Sequence, residues 1–279
     1  MSSFAKRLLG RAAAVTLSAL MISSALPVQA MAAGVSDPDK VSFYESVTGQ
    51  YPEAMAALRQ GLLNCSSTIS LENCLVKDND LRSVFSAVLA KTPELFYVDK
   101  QYSYYQKTVG GVTYVSKVVP EYTITDRTQI NTMLQAFYDE ADFYLNQVSG
   151  DLTKCDDDFS KAALLHDEIV LDAHYETQNT SSYTFMVNKY GLCESYSRVY
   201  AYLLGQVGIS SEIVDSDGIK HEWMKACIDG SYYNVDVTWD DPVNDAPGLV
   251  RHNHFLLSDS HRTADIDDYI YRYGYYESD

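Results

Sequence analysis

Residues 221–238 read His221-Glu-Trp-Met-Lys-Ala-Cys-Ile-Asp-Gly-Ser-Tyr-Tyr-Asn-Val-Asp-Val-Thr238, and in them two largely apolar runs flank Asp229-Gly230. Asp-Gly between two such runs predicts a β-hairpin with a two-residue turn. Counting outward from the turn predicts these opposed pairs: Ile228 with Ser231, Ala226 with Tyr233, Met224 with Val235, Trp223 with Asp236, and His221 with Thr238.

This register decides which side chains share a face of the hairpin. One face is apolar and consists of Met224, Ala226, Val235 and Val237. Sliding the register by one residue would set Asp236 opposite Met224 and destroy that face. On the other face His221 and Asp236 are diagonal neighbours, with Cβ atoms within roughly 7 to 8 Å. A carboxylate at that separation can accept a hydrogen bond from the imidazole.

A cysteine upstream supplies a nucleophile for this pair. Cys193 opens a segment with apolar residues at helical spacing, which ends at Gly208. The thiol is therefore expected at a helix N-terminus, where backbone N–H groups and the helix dipole favour thiolate. A lone cysteine can also be a small buried apolar residue. The joint placement of Cys193, His221 and Asp236 favours nucleophilic acyl transfer over separate structural roles.

Three motifs carry a resemblance to a known family: Tyr190-Gly-Leu-Cys-Glu-Ser-Tyr196, His221-Glu-Trp223 and Tyr233-Asn-Val-Asp-Val-Thr-Trp-Asp-Asp-Pro242. Through them the chain resembles the bacterial secreted members of the transglutaminase-like superfamily. The resemblance covers about residues 156–260 and includes a further strand that is expected at 254–258. The segment 92–97 resembles the N-terminal extension of bacterial members. The resemblance implies an α+β, papain-like core in which the nucleophile helix packs on an antiparallel sheet.

The resemblance also implies a role for each site residue. Cys193 would attack a carboxamide, His221 would act as base and then as acid, and Asp236 would orient His221. Tyr183 matches the family position of a side-chain donor to the oxyanion, beside the Cys193 backbone N–H.

The sequence departs from the usual bacterial pattern at Glu194, Ser195 and Glu222, where Gln, Gly and Ala are common. A carboxylate beside the thiolate could weaken its activation. Trp223 and Trp239 are expected to wall the substrate cleft, although strand alternation assigns Trp239 to the apolar face unless the strand ends before it.

Residues 1–33 are predicted to be a signal peptide. Lys6, Arg7 and Arg11 precede an uncharged apolar run, and Ala30-Met31-Ala32 has the small-x-small form that signal peptidases cut after. The apolar run is shorter than the ~20 residues of a spanning helix, which makes an uncleaved anchor the weaker alternative. The protein is thus expected to be secreted, with the cell surface as a second location and no transmembrane segment after the signal is removed.

Charge and cysteine content restrict the partners and the redox state. The formal net charge of −17 over 279 residues disfavours nucleic acid as a partner. Five cysteines in an exported chain leave at least one thiol outside any intramolecular disulfide. Cys65 and Cys74 flank a short loop and are the expected disulfide. Cys155 and Cys227 form a second candidate pair, which would leave Cys193 free, although the sequence does not fix the connectivity.

Two regions are expected after the signal peptide, an N-terminal helical and β-hairpin region at 34–150 and a catalytic domain at 151–279. In the first, helices are predicted near 51–63, 80–90 and 126–148, with a hairpin around Gly110-Gly111. His252 and His254 could in principle bind a metal from one side of a strand, but without further ligands packing is the preferred interpretation. His166 and His174 are interpreted as core or surface residues, and no metal or cofactor is expected.

Two classes of function remain open from the sequence. The first is a thiol enzyme that acts on protein or peptide amide bonds, as a peptidase or as an acyl transferase, depending on whether water or an amine reaches the thioester. The second is a catalytically idle binding module for cell-wall or surface protein, in which the tyrosine-rich N-terminal region makes the contact. An intact triad argues against the second.

Overall fold

The structure is a computed structural model that describes residues 42–43, 49–151, 157–216, 218–241 and 248–273. The predicted signal peptide and Cys155 lie outside these ranges. The helices are α1 Pro52–Leu63, α2 Leu81–Ala90, α3 Arg127–Asp151, α4 Asp158–Asp172, α5 Cys193–Gln206, α6 Val237–Asp240 and α7 Asp259–Tyr273. The strands are β1 Ser42–Phe43, β2 Ile69–Ser70, β3 Val98–Val109, β4 Val112–Tyr122, β5 His174–Tyr175, β6 Tyr190–Gly191, β7 Ser211–Ser216, β8 His221–Ile228 and β9 Ser231–Val235. None of the described helices is both long and apolar enough to cross a bilayer.

The main sheet is antiparallel, with strand order β1-β7-β8-β9. Helix α5 packs on one face of this sheet and buries its apolar stripe there. The shared core includes Tyr196, Val199 and Leu203 from the helix and Met224, Ala226 and Val235 from the hairpin. The architecture is therefore the expected mixture of helices and sheet, in which Cys193 opens a helix that lies on an antiparallel sheet.

The predicted hairpin register is confirmed over most of its length. Met224 pairs with Val235 and Ile228 pairs with Ser231, while Asp229 and Gly230 have φ values of 50° and 79°. Strand β9 ends at Val235, so the two outermost predicted pairs, Trp223 with Asp236 and His221 with Thr238, do not form.

The early end of β9 has a local cause. The Asp236 carboxylate accepts a hydrogen bond from the backbone N–H of Trp239 at 3.1 Å and caps the short helix α6. The chain therefore turns into a helix where simple alternation predicted more strand.

The N-terminal region contains a second sheet of order β2-β4-β3. Strands β3 and β4 form the predicted hairpin, and Val109 pairs with Val112 across Gly110 and Gly111, whose φ values are 59° and 82°. Helices α1 and α2 begin and end within about two residues of the predicted bounds. The core of this region is formed by residues such as Leu58, Leu62, Phe85, Tyr97, Val115 and Val118.

Helix α3 belongs to both cores. Its Ile130 is buried with the N-terminal residues, whereas Phe137 and Tyr144 are buried with α5 and the main sheet. The predicted division near residue 150 thus falls at the end of a helix that both regions share, and the two-domain organisation remains a prediction.

Cys65 and Cys74 are both free thiols in this structure, so the disulfide expected between them is not formed. The Cys65 Sγ lies 2.5 Å from Arg127 Nη1 and also interacts with the Tyr97 hydroxyl. The Cys65 side chain is thus directed toward Arg127 and Tyr97. Burial raises the pKa of the Cys74 thiol, and Glu53 raises it further.

The strand expected at 254–258 is reduced to a single bridge between Asn234 and Leu257. The Asn234 N–H donates to the Leu257 carbonyl at 2.8 Å, and the Asp236 N–H donates to the His254 carbonyl at 2.9 Å. The prediction of a strand was wrong, because the segment pairs with β9 only near the end of that strand and helix α7 then begins at Asp259. The contact nevertheless brings α7 next to Asp236.

Candidate active site

Cys193 is the first residue of α5. The preceding Leu192 is extended, and its carbonyl accepts from the Ser195 N–H at 2.9 Å, which starts the helix. The first N–H groups of an α-helix have no intrahelical acceptor, so the thiol lies where backbone donors point outward. A Cβ atom on Gly191 would lie 2.6 Å from the Ser195 Cβ. Only glycine therefore fits at this position, two residues before the helix begins.

The His221 imidazole contacts both other members of the predicted triad. Its Nε2 lies 2.6 Å from Asp236 Oδ2, and the Cys193 side chain is close enough to the ring to raise the pKa of the imidazole. With Nε2 engaged by Asp236, Nδ1 is the nitrogen left for the thiol. The structure thus brings Cys193, His221 and Asp236 together.

Interactions within the site shift the pKa values of His221 and Asp236. Burial lowers the pKa of His221, but the charge and hydrogen bond of Asp236, followed by Cys193, raise it to about 9. Burial raises the pKa of Asp236, yet His221 and Arg262 together hold it well below its usual range. Around neutral pH, the geometry therefore favours an imidazolium against a carboxylate.

Arg262 is a site residue that sequence reasoning missed. Its Nη2 donates to Asp236 Oδ2 at 2.6 Å, and its guanidinium lies 4.4 Å from the centroid of Trp223 and 4.2 Å from that of Trp239. The side chain is buried, and Nε and Nη1 have no hydrogen-bond partner within the described part of the chain. The two indole faces offset part of the cost of burying this cation. No spacing or motif in the sequence links Arg262 to Asp236.

The two tryptophans lie around His221 and Arg262. Trp223 is only 2 % exposed and donates from Nε1 to Asn234 Oδ1 at 2.9 Å. The His221 ring stacks at 6.2 Å from Trp223 and at 5.0 Å from Trp239. Trp223 is therefore a buried support for the His–Asp pair and not an exposed wall of a cleft, while Trp239 is partly exposed beside His221. Because β9 ends early, Trp239 joins Trp223 and not the apolar face.

The acidic residues that depart from the family pattern are paired with cations. Arg198 binds Glu222 through Nε and Nη2 at 3.0 and 2.9 Å, and its Nη1 lies 2.7 Å from Glu194. Lys100 also contacts Glu194, at 2.6 Å. Although burial would raise the pKa of Glu194, Arg198 and Lys100 lower it overall. For Glu222, burial prevails over Arg198 and raises the pKa to about 7. The negative charge next to Cys193 is therefore compensated locally.

A cavity of about 270 Å³ lies between the N-terminal region and the start of α5. Its lining includes Phe96, Lys100, Thr180, Ser182, Glu194 and Arg198. Tyr183 is the residue after Ser182 in the chain, and its ring centroid lies 5.0 Å from that of Phe96. The cavity thus reaches the residue that follows Cys193, and Tyr183 stays a predicted oxyanion donor at its margin.

Comparisons with known proteins add little to this geometry. No protein-family model matches the chain, and no curated protein matches it. A solved structure named as a TGase is similar at 12% identity and a TM-score of 0.33, over 61% of this chain and 50% of that chain. A suspected protease from Parabacteroides distasonis ATCC 8503 is similar at 12% identity and a TM-score of 0.27, over 52% of this chain and 36% of its own length. The chain thus spans half or less of each of these neighbours. The similarity is too low to support an argument about function.

Proposed function

We propose that this chain is an exported cysteine enzyme that acts on amide bonds of proteins or peptides, as a peptidase or an acyl transferase. The observation that supports the proposal is the hydrogen bond of 2.6 Å between His221 and Asp236, with the Cys193 thiol beside the imidazole at the start of α5. Export through residues 1–33 is part of the proposal and rests on the sequence alone.

In the first half-reaction, the Cys193 thiolate attacks the carbonyl carbon of a carboxamide and a C–S bond forms. The charge that develops on the oxygen would be stabilised by the Cys193 backbone N–H and by the Tyr183 hydroxyl. The His221 imidazolium then gives its proton to the departing nitrogen as the C–N bond breaks. The products are an amine or ammonia and a thioester on Cys193.

In the second half-reaction, a nucleophile attacks the thioester carbonyl and His221 takes its proton. The C–S bond breaks, and the thiolate and imidazolium are restored. Water gives hydrolysis, whereas a primary amine gives acyl transfer. The cavity beside Glu194 is the proposed binding place of the acyl donor.

Arg262 and the two tryptophans act through Asp236 and His221 in this mechanism. The guanidinium keeps Asp236 ionised, and the stacked indoles fix the plane of the imidazole. A fixed imidazole needs no reorientation between accepting a proton and returning it. These three side chains are positioning residues.

The proposal can be tested with glutamine-containing peptides incubated with the purified protein, with and without a fluorescent primary amine. Ammonia release, peptide cleavage and amine conjugation are followed together by mass spectrometry. The wild type should form at least one product, and Cys193→Ala should form none, whereas Cys227→Ala, which alters another partly buried free thiol, should keep the wild-type rate. Equal product from wild type and Cys193→Ala would contradict the mechanism. A wild type that never acylates Cys193 would support the idle binding module.

A further inference from the structure

A cluster of two histidines and one aspartate lies between α4 and the segment that precedes α7, and one of its members is buried. His166 and Asp167 are adjacent in α4, and His252 comes from the segment that precedes α7. Asp167 Oδ1 lies 3.1 Å from His166 Nδ1 and 2.7 Å from His252 Nε2. One potential ligand atom from each of the three residues lies within 4.8 Å of the others.

These donors are the types that divalent transition metals prefer in proteins. Imidazole and carboxylate ligands suit Zn²⁺ and its neighbours, with bond lengths of about 2.0–2.2 Å. A tetrahedral ion with such bonds needs ligand atoms roughly 3.3 Å apart. The two distances to Asp167, 2.7 and 3.1 Å, are near this value, and the two histidine nitrogens lie within 4.8 Å of each other. Small side-chain movements would therefore allow an ion to replace the hydrogen bonds of the cluster.

The surroundings of His166 also match those of a metal ligand. Metal-binding histidines usually donate their second ring N–H to a carboxylate, which fixes the ring and its tautomer. His166 Nε2 lies 3.2 Å from Asp240 Oδ2, and both side chains are fully buried. Asp240 is held in turn by the backbone N–H of His254 at 3.0 Å. His166 is thus oriented from behind with Nδ1 directed at the cluster.

The cluster is accessible from one side. His166 is buried, whereas the side chains of Asp167 and His252 are 36 % and 46 % exposed. An ion can therefore enter from solvent, and the exposed His252 can adjust its rotamer. Three protein ligands leave a fourth tetrahedral position for water.

We propose that His166, Asp167 and His252 form a binding site for a divalent transition metal ion such as Zn²⁺. The sequence pattern paired His252 with His254 and offered no further ligands, so no metal was predicted. The second histidine of the site is instead His166, and His254 Nδ1 is directed at Asp265 at 3.2 Å. The ion would link α4 to the segment before α7, and through Asp240 to the end of α6. The site is separate from Cys193 and does not depend on the proposed acyl-transfer activity.

The test is a titration of the chelator-treated, full-length protein with ZnCl₂, followed by calorimetry at about pH 8.5, well above the ordinary histidine pKa of about 6.5. The alkaline pH is chosen because burial lowers the pKa of His166 but Asp167 and Asp240 raise it overall, and a metal-binding imidazole must be neutral. All variants carry Cys193→Ser, so that the active-site thiol does not bind the metal. The parent, which carries Cys193→Ser alone, should bind one ion per chain. The variant that also carries His252→Ala should bind the ion at least tenfold more weakly. His174→Ala, which removes an exposed histidine outside the cluster, should bind like the parent. Asp240→Asn should weaken binding about 10- to 100-fold, as expected for the loss of a carboxylate that orients a ligand.

Titration of the same proteins with Co²⁺ in place of Zn²⁺ gives a second, spectroscopic readout. Intense visible absorption of a tetrahedral ion should appear in the parent and in His174→Ala, and should be lost in His252→Ala and Asp167→Asn. Melting curves recorded in chelator check that each variant is folded. The proposal is overturned if the parent takes up no Zn²⁺, or if folded His252→Ala and Asp167→Asn bind it as tightly as the parent.

Discussion

At the scale of single residues, Asp236 is the centre of the candidate site. Its carboxylate accepts from the Trp239 backbone N–H, from Arg262 and from His221. One residue therefore caps α6, neutralises a buried guanidinium and orients the imidazole. Mutation of Asp236 is therefore expected to affect both the proposed activity and the stability of the protein.

Asp236→Asn should lower the rate of amide cleavage or transfer by about 10³–10⁴-fold, because the neutral amide favours the wrong imidazole tautomer. It should also lower the free energy of unfolding by about 3–5 kcal/mol, since Arg262 would remain buried without its counter-ion. The sequence pattern does not predict this loss of stability, because nothing in it links Arg262 to Asp236. Turnover and denaturant unfolding measure the two effects, and Asp267→Asn on the exposed side of α7 is the control. An unchanged rate would remove Asp236 from the mechanism.

Arg262→Gln should move the pH dependence of kcat/KM in the opposite direction to Asp236→Asn. The mechanism needs the His221 imidazolium, so activity should fall as the pH rises through about 9, the pKa of His221. Loss of the Asp236 charge lowers the pKa of His221 and moves this limb to lower pH. Loss of the Arg262 charge leaves Asp236 uncompensated, raises the pKa of His221 and moves the limb to higher pH. A purely structural role for Arg262 predicts a lower rate with an unmoved limb, and that result would refute the assignment.

At the scale of elements, alternation predicted the hairpin correctly as far as Val235. The sequence did not reveal that Asp236 leaves the strand, because alternation does not distinguish a strand aspartate from one that caps a helix through a local hydrogen bond. Arg262 reaches the site through the long-range contact of α7 with Asp236, and local patterns carry no information about it. Cys193 and His221 were predictable because a helix start and a strand start are local features.

Gly191→Ala should disturb the start of α5 more than its size suggests. The added methyl group would meet Ser195 at 2.6 Å and Phe185 at 2.9 Å, so the first turn of α5 would have to shift. We expect a loss of about 1–3 kcal/mol in unfolding free energy and at least a tenfold loss of rate. Gly205→Ala, in the same helix and with no atom within 4 Å of the new Cβ, should be neutral or slightly stabilising. Similar behaviour of the two variants in unfolding and rate assays would contradict this account of Gly191.

At the scale of the whole molecule, the two cores are joined through α3. Phe137, Ala141 and Tyr144 complete the core that also holds α5 and the main sheet. The segment between β2 and β4 of the second core likewise supplies Phe96 and Lys100 to the cavity near Glu194. The N-terminal region is therefore both a structural support and part of the proposed substrate-binding surface.

A fragment of residues 151–279 should fail to fold alone, because removal of α3 exposes the apolar residues that it covers. Calorimetry of this fragment should show no cooperative transition, whereas residues 34–279 should unfold cooperatively. A fragment of residues 127–279, which retains α3, tests whether this helix is the missing part. Cooperative unfolding of 151–279 would show instead that the catalytic region is an independent domain.

In the proposed mechanism, His221 and Asp236 activate the Cys193 thiol. The most direct measurement is the rate of iodoacetamide alkylation of each thiol at about pH 6, where an ordinary thiol of pKa ≈ 8.5 is almost fully protonated. Cys227 is an internal control, because it is a partly buried free thiol whose pKa burial raises. Quantitative mass spectrometry should show that Cys193 reacts at least about 100-fold faster than Cys227, and that His221→Ala abolishes this difference. Equal rates for the two thiols, or a fast Cys193 that does not depend on His221, would contradict the claim.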